Sequence, residues 1–569
     1  MPNEFTIKIA GEAGQGMQTI GAALSRLYKK AGFHIFANQD YMSRVRGGNN
    51  FFQLRVSEKP VFTLHQKADI VVALDKKSVA LHKAGLSDKG VMVLDRKQSG
   101  ISETEDSFFD VALHELAASI GGSDIFINTA ACGVIAGMTA MTFGLLEEVI
   151  REAFSDKGSE IIEKNIKVAK AGYEFAQGNF KKKAFSLNAG PLKDTLFLNG
   201  NEAIALAAIK AGCKFYTAYP MTPSTSIMNT LAHYAAQYNI VVEQAEDEIA
   251  AINMALGASF AGVRAMTATS GGGFALMVEG LSLAGMTETP VVIAEVQRPA
   301  PATGFPTRTE QADLDFLLHA GHGEFARAIY APGTIEEAFY LTLKAFNIAE
   351  KYQIPVLIMS DQHLADSYRD IEPFDLRRIK VERSIISKEE SKEVSGYTRY
   401  KLTESGISPR AIPSWIEGVI YADSDEHTEE GHITEDAATR IQMVEKRLYK
   451  KMAGLCGEIE KPTEYNITGA SCVLLGFGST YGVLKELCEK SGNTLGFMHF
   501  SQVWPFPAKE TDRILKDAKK IITVENNALG QLARLLKREC AIKIDGSILR
   551  FDGRPFDLEY VDARLKKYL

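Results

Sequence analysis

Clustered cysteines are missing from this 569-residue chain. Its six cysteines (Cys132, Cys213, Cys456, Cys472, Cys488 and Cys540) are scattered and form no Cys-x-x-Cys. Neither a zinc knuckle nor an iron–sulfur cluster is therefore encoded locally. The eleven histidines contain no His-Glu-x-x-His and no other helix-face metal pair. His319 and His322 read as structural or substrate-facing, and no metal site is expected. No run of about 18 consecutive apolar residues exists, which excludes a helical membrane span. The opening MPNEFTIKIAG enters a strand pattern directly, without a basic segment followed by an apolar one, so a cytoplasmic protein is expected. Positive charge is not in excess either. A net charge of −7 argues against a broad nucleic-acid surface. Internal repeats and low-complexity tracts are also lacking.

What is present is ordinary globular composition, 46% hydrophobic and 24% charged, in a chain too long for one core. At about 150 residues per domain, three or four domains are expected. Residues 1–185 read as an α/β domain: FTIKIAG is a strand, GEAGQG a turn, and MQTIGAALSRLYKKAG an amphipathic helix with Ile20, Leu24 and Leu27 on one side. Further strands are predicted at 70–74 and 91–94. Residues 186–195, with Gly190-Pro191, read as a linker. A second α/β domain spans 196–385, ending in a strand over 355–360. Residues 386–465 form a charged connecting region, whose run DSDEHTEEGHITED reads as a solvated loop. Residues 466–569 form a third α/β unit.

The most informative stretch lies between Phe215 and Asp313. Apolar strands at 240–242, 264–269 and 290–296 alternate there with helical patterns, as in parallel α/β units. Polar and Gly/Pro-rich pieces fall at the carboxyl ends of those strands, where open α/β sheets bind ligands. Glu248 follows a strand and opens a predicted helix whose apolar stripe is Ile249, Ile252, Leu256 and Phe260. Four motifs follow one another: Tyr219-Pro220-Met221-Thr222-Pro223-Ser224; Glu248 before Gly257-Ala258-Ser259; Thr269-Ser270-Gly271; and Pro301-Ala302-Thr303-Gly304-Phe305-Pro306-Thr307. Together they resemble the α subunit of 2-oxoacid:ferredoxin oxidoreductases, thiamine-diphosphate enzymes that split a 2-oxoacid and make an acyl-CoA. The departures are Met221, Gly272 where Pro is common, and Ala302 where Ser is common.

Other parts of the chain carry the same resemblance. The turn Gly11-Glu12-Ala13-Gly14-Gln15-Gly16 is neither a Walker A loop nor a Gly-x-Gly-x-x-Gly. A glycine-rich turn at a helix start suits an anion, and it equally suits a tight strand-to-helix connection. It looks like the glycine signature of the γ subunit of the same oxidoreductases, with Ala13 replacing one Gly. Gln39-x-Tyr41-x-Ser43, Arg46-Gly47-Gly48 and Arg55-Val56-Ser57 match that subunit too. Gly14, Gly16, Arg44 and Arg46 are thus candidates for a phosphate-bearing molecule such as coenzyme A. An inter-subunit salt-bridge patch is the alternative for the two arginines. The 466–569 segment resembles the transketolase-C-terminal-like domain of these α subunits. Its Glu525, Asn526 and Gln531 read as architectural. Glu430-Gly431-His432-Ile433-Thr434-Glu435 recurs in the family as part of a subunit-contact region. The implied fold is three α/β domains: γ-type Rossmann-like, thiamine-diphosphate (pyrimidine) binding, and transketolase-C-terminal-like.

The resemblance also implies site residues. A buried carboxyl group hydrogen-bonds the aminopyrimidine of thiamine diphosphate, and the motif match assigns that to Glu248 ahead of Glu246 and Asp247. A helix-terminal structural charge is the plain alternative. Tyr219, Pro220, Thr222, Ser270 and Gly271 fall to cofactor binding. Thr222, Arg298, Arg308, Thr303 and Thr307 fall to the substrate, with either arginine able to pair bidentately with its carboxylate. Thiamine enzymes hold the diphosphate and Mg2+ with a Gly-Asp-Gly followed by an Asn, and this chain has no Gly-Asp-Gly. With no cysteine cluster either, the chain reads as a γα fusion. A β subunit carrying the Mg2+–diphosphate half-site and at least one [4Fe–4S] cluster is expected as its partner, in an αβ or (αβ)2 assembly served by ferredoxin or flavodoxin. The γ-first order favours 2-oxoglutarate, then pyruvate or branched-chain oxoacids. A non-redox thiamine lyase or transketolase-like subunit and a non-catalytic CoA- or nucleotide-binding assembly protein are the competing readings.

Overall fold

The computed structural model describes residues 3–43, 47–181, 185, 187–188, 190, 194–393 and 396–569. Arg44 and Arg46 lie outside them. The chain forms two compact units, one made of Met1–Phe197, Ser367–Pro373 and Asp557–Val561, the other of Leu198–Asp366, Phe374–Phe556 and Asp562–Leu569.

The first unit is built on a mixed sheet. Its strand Glu4–Ala13 pairs antiparallel with Gly47–Ser57 and parallel with Ala68–Ala73, which continues to Leu86–Leu94 and Phe108–Asp110. On the other side Gly47–Ser57 pairs with His34–Asp40, and Tyr368–Ile371 adds to that edge. The first strand runs on through Gly11 to Ala13, so the turn expected over 11–16 occupies only its last residues. Helix Met17–Lys30 buries Ile20, Leu24 and Leu27 as the periodicity required. The two strands predicted over 70–74 and 91–94 are present and begin earlier, at Ala68 and Leu86.

A partly buried charge network lies in this unit. Arg55 reaches Glu4 and the Thr63 carbonyl, while His65 bonds Glu4 at 3.2 Å and Glu559 at 2.8 Å. Burial works against a charge on His65, but the two carboxylates outweigh it and hold the imidazolium to about 8 instead of 6.5. A raised histidine stabilises fully below its unfolded pKa and stops doing so as pH rises through the folded one. Thermal stability of the first unit should therefore fall as pH is raised from 6.5 through about 8, by roughly 1–2 kcal/mol. His65→Gln should flatten that slope in a melting series.

The second unit holds two sheets over one continuous apolar core. The larger runs Gln502–Trp504, Ala328–Tyr330, Pro355–Asp361, Val291–Gln297, Arg264–Thr269, Cys213–Ala218, Val241–Gln244. All its pairings are parallel except the first, in which Gln502–Trp504 joins antiparallel. That strand comes from the last segment of the chain, so the 466–569 segment contributes to the central sheet. The smaller sheet runs Thr463–Tyr465, Leu495–Phe500, Cys472–Phe477, Ile521–Glu525, Gly546–Leu549. Central strands such as Val291–Gln297 and Pro355–Asp361 are buried on both faces, which is why they read as continuous rather than alternating apolar runs.

Two expectations are corrected here. Ile249 is exposed and Phe260 only half-buried; the Glu248–Phe260 helix turns Ala251, Ile252, Ala255, Leu256 and Ser259 inward. Small residues carry this face because the helix packs closely on its neighbours, and alanine gives little amphipathic signal. The acidic run is not solvated throughout. Glu426 grips Arg447 and Arg440, and His427 is fully buried against the Tyr400 ring at 4.1 Å between centroids. A turn at Gly431, φ +91°, folds the run back so that His427 bridges Ile433. Deeper still, Glu288 holds Lys446 at 2.7 Å and Lys451 at 2.5 Å, all three excluded from solvent. These contacts fasten the charged connecting region onto the central sheet.

Candidate active site

The loops at the carboxyl ends of the central strands bring the motif residues together. Val241–Gln244 leads into Ala245-Glu246-Asp247, and the three successive acids then part company. Glu246 is exposed. Asp247 caps the helix by accepting from the Ala250 N–H at 2.7 Å. Glu248 turns inward and is 3% exposed. Its Oε1 finds no hydrogen-bond partner among the described residues. Burial, helped by the Asp247 charge, lifts its carboxyl above the usual carboxylate range.

The next strand end supplies the wall against which Glu248 rests. Ser270 precedes the helix Gly271–Met286, and the first turn of that helix is three glycines. A Cβ at Gly273 would overlap both Glu248 Oε1 and Thr269 Oγ1, and one at Gly271 would overlap the Asp313 carboxylate. Gly271 and Gly273 thus answer to close approach rather than to backbone angle, while a Cβ at Gly272 would meet only ordinary contact. Ser270 Oγ is buried and also unpartnered.

The Tyr219–Ser224 loop is held from several sides. Asn201 donates to the Pro223 carbonyl at 2.9 Å and to Ser226, Ser224 donates to the Met221 carbonyl, and Arg298 donates to the Thr222 carbonyl at 2.7 Å. Tyr219 is exposed, Pro220 and Thr222 half-buried. Arg298 therefore braces this loop with one nitrogen, and burial lowers its pKa. In the 301–307 loop Thr303 is exposed and Thr307 buried. Gly304, at φ +51°, lies where a Cβ would strike the Pro299 carbonyl. Arg308 is half-buried, with its stem against Gly553.

Sequence reasoning missed Thr269 Oγ1 beside Glu248, Asn201 under the loop, and the acids Glu295 and Asp313 behind it. Glu295 carried a usable signal. A single acid inside the apolar strand VVIAEVQ is rare unless it is partnered or neutral. The architectural reading of Glu525, Asn526 and Gln531 fits their contacts. Glu525 accepts from the Leu532 and Ala533 N–H groups, Asn526 donates to the Arg550 carbonyl, and Gln531 accepts from the Asp315 N–H.

In the first unit Gly14 borders a cavity of about 280 Å3, and Gly16 packs against the Asn128 side chain that lines it. Gln15, Asp95, His114, Asp124 and Asn128 line it with several apolar side chains, and its lining includes no lysine or arginine. An anion there would rely on backbone N–H groups.

Three family models match in chain order. That of the thiamine-diphosphate-binding pyruvate flavodoxin/ferredoxin oxidoreductase domain covers residues 206–446. The pyruvate ferredoxin/flavodoxin oxidoreductase domain covers 6–175, and pyruvate:ferredoxin oxidoreductase core domain II covers 470–561. The chain is 33% identical to the 2-oxoacid:ferredoxin oxidoreductase subunit alpha of a Sulfolobus species, over 99% of this chain and 96% of that one. The chain belongs to the family of 2-oxoacid:ferredoxin oxidoreductase α subunits. It is also 28% identical to the 2-oxoglutarate oxidoreductase subunit KorA of Mycobacterium tuberculosis, over 97% of this chain and 89% of that one. A solved structure of 2-oxoglutarate:ferredoxin oxidoreductase from Magnetococcus marinus, with 2-oxoglutarate, coenzyme A and succinyl-CoA bound, superposes with a TM-score of 0.92 at 29% identity, covering 100% of both chains. This α subunit is accordingly one part of a multi-subunit oxidoreductase, and the γ-type domain is fused at its N-terminal end. Among the described residues no group of three or more His, Cys, Asp or Glu side chains is placed to hold a metal ion, and no single helix is long and apolar enough to cross a membrane.

Proposed function

We propose that this α subunit catalyses, with a β partner, the conversion of 2-oxoglutarate, CoA and oxidised ferredoxin or flavodoxin to succinyl-CoA, CO2 and the reduced carrier, or the reverse. The observation that carries the site assignment is the orphaned, buried Glu248 Oε1 beside a glycine cradle. A buried carboxyl group without a protein partner needs a ligand donor or acceptor to offset its desolvation. The aminopyrimidine of thiamine diphosphate meets that need, since its ring nitrogen hydrogen-bonds a carboxyl group. When bound, the cofactor supplies the electron sink for decarboxylation.

The remaining work falls to this chain's own side chains. Glu248, its pKa raised by burial, would hydrogen-bond the ring nitrogen and keep a proton there. Ser270 Oγ and the Gly271–Gly273 turn line the cofactor side. Thr222, on a loop braced by Arg298 and Asn201, presents its hydroxyl to the oxo group. Arg298 and Arg308 are the candidates for the distal or 1-carboxylate, with Thr303 and Thr307 beside them. Tyr219, Ile249, Met254, Leu276 and Phe305 stay exposed on the segments that form the site. They supply the apolar surface that a β subunit, carrying Mg2+, the diphosphate site and a [4Fe–4S] cluster, would cover. The cavity beside Gly14 is proposed for part of the CoA molecule, and the complex is proposed to be cytoplasmic.

Anaerobic purification of the native complex, followed by low-potential dye reduction with a panel of oxoacids, tests this reading. It predicts a brown complex with a smaller cysteine-bearing subunit, and CoA-dependent reduction greatest on 2-oxoglutarate. A colourless complex, or reduction that ignores CoA, would overturn it. A preference for pyruvate or a branched-chain oxoacid would overturn the substrate assignment alone.

A further inference from the structure

The strand Val291–Gln297 carries one acid in its centre, Glu295, which is fully buried. In the parallel register Glu295 stands opposite Thr269, the residue that touches the space next to Glu248. Neither oxygen of Glu295 finds an N–H or O–H donor among the described residues, and neither does Asp313 Oδ2. Asp313 is tied to Gln297, two residues from Glu295 on the same side of the strand, which brings the two carboxyl groups beside each other, and each perturbs the other's titration. Two carboxylates buried side by side would repel each other, whereas one carboxylic acid and one carboxylate can hydrogen-bond, since the proton supplies the missing donor.

Asp313 is fixed from behind and in front. Its N–H donates to Gln297 Oε1 at 3.0 Å, and Gln297 in turn donates to the Ser360 carbonyl. Its carboxylate packs directly on Gly271, at the N-terminus of the 16-residue helix whose third residue abuts Glu248. One negative charge is favourable at that helix end, where free N–H groups and the dipole meet it. A second charge would not be. The other charges facing the pair are also negative: Asp361 at the end of the adjoining strand acts on Glu295, and Asp313 acts on Glu310 in the loop before it.

We propose that Glu295 and Asp313 share a single proton beneath the first turn of the Gly271–Met286 helix, and that this pair positions the turn against which Glu248 rests. They are positioning residues, acting through the glycine turn on the carboxyl group. Consistent with that placement, burial together with the Asp313 and Asp361 charges holds Glu295 well above the usual carboxylate range, and burial raises Asp313 to about 6. Loss of the shared proton would leave two ionised groups side by side. They could relax only by separating, which would shift Asp313 away from Gly271 and move the turn beside Glu248. The inference rests on the proposed role of Glu248, but the pair itself can be observed without turnover.

Glu295→Gln keeps the shape and supplies a permanent N–H to Asp313. In the assembled enzyme it should retain kcat on the acid side and move the alkaline decline of kcat upward by at least about one pH unit, tenfold in proton activity, with KM for the oxoacid unchanged. Glu295→Ala lacks the donor and should lose kcat at every pH, so rescue by glutamine but not alanine is the signature of the shared proton. Superimposable pH profiles for wild type and Glu295→Gln would overturn the proposal. Neutron diffraction from the deuterated wild-type complex provides a check that does not depend on how the variants fold. A deuteron between the two carboxyl groups supports the pair; two ionised groups, or a cation between them, sinks it. That result stands or falls separately from the Glu248 assignment, which activity of a Glu248 variant would overturn by itself.

Discussion

Glu248→Gln should lower turnover of the assembled oxidoreductase by about 10²–10⁴-fold, the usual range for loss of a positioned general acid–base group, while the α subunit still folds and assembles. Glutamine fills the same volume, so the glycine turn and the Thr269 contact stay in place. What it removes is a carboxyl group that can be either protonated or ionised. Burial already raises that group above the usual carboxylate range. Thiamine diphosphate binding should change far less than kcat, because the Ser270–Gly273 turn and the half-site proposed for the partner both remain. Gly273→Ala approaches the same site from the other side. Its Cβ would occupy the space of Glu248 Oε1 and Thr269 Oγ1, so the carboxyl group must move. Displacements of about 1 Å near reacting groups can cost on the order of 100-fold. The alanine variant should therefore be nearly as impaired as the glutamine variant although every titratable group is retained. Steady-state kinetics on purified complexes checks both. Near-wild-type kcat in Glu248→Gln would remove this residue from the chemistry.

Glu288→Ala should destabilise the second unit by about 3–5 kcal/mol, since it leaves Lys446 and Lys451 buried without their counter-ion. The two lysines reach Glu288 from the segment between Glu445 and Cys456, and Arg399 adds a bond to the Glu288 carbonyl and another to Gln353. Burial opposes the charge on Glu288, yet the lysine charges hold its pKa well below the usual carboxylate range. A depressed carboxylate stabilises above its unfolded pKa, near 4.5, and stops doing so as pH falls through the folded value. Acid should therefore loosen the connecting region in the wild type, and the alanine variant should lack that acid dependence. Denaturant unfolding of the full chain gives both quantities. Replacing Glu288, Lys446 and Lys451 together with methionine should recover most of the loss, because no unpaired charge is then left inside. If the single alanine variant were as stable as wild type, the cluster would not be what fastens this region.

The strands and helices that build the two units were largely legible in the sequence. The strands at 264–269 and 355–361 and the helix after Gly16 followed from apolar runs, alternation and glycine punctuation, which are local properties. Burial along the Glu248 helix was less legible, because alanine and serine share its inward face with Ile252 and Leu256. The acidic run at 423–436 was misread at its centre for a different reason. A solvated loop and a loop pinned by distant Arg447 and Tyr400 have the same composition.

By itself, then, the sequence determined the order of α/β segments and the family motifs, and through a motif match it nominated Glu248, since each depends on residues close together in the chain. The tertiary structure alone separated Glu248 from Glu246 and Asp247 by burial, tied Arg298 to the Thr222 carbonyl, and drew Gln502–Trp504 into the central sheet. It also set Glu295 beside Asp313 and left the Glu295 carboxyl and Asp313 Oδ2 without a donor among the described residues. Such outcomes depend on what desolvates a group and which distant partner reaches it, and those are fixed only when the chain has packed.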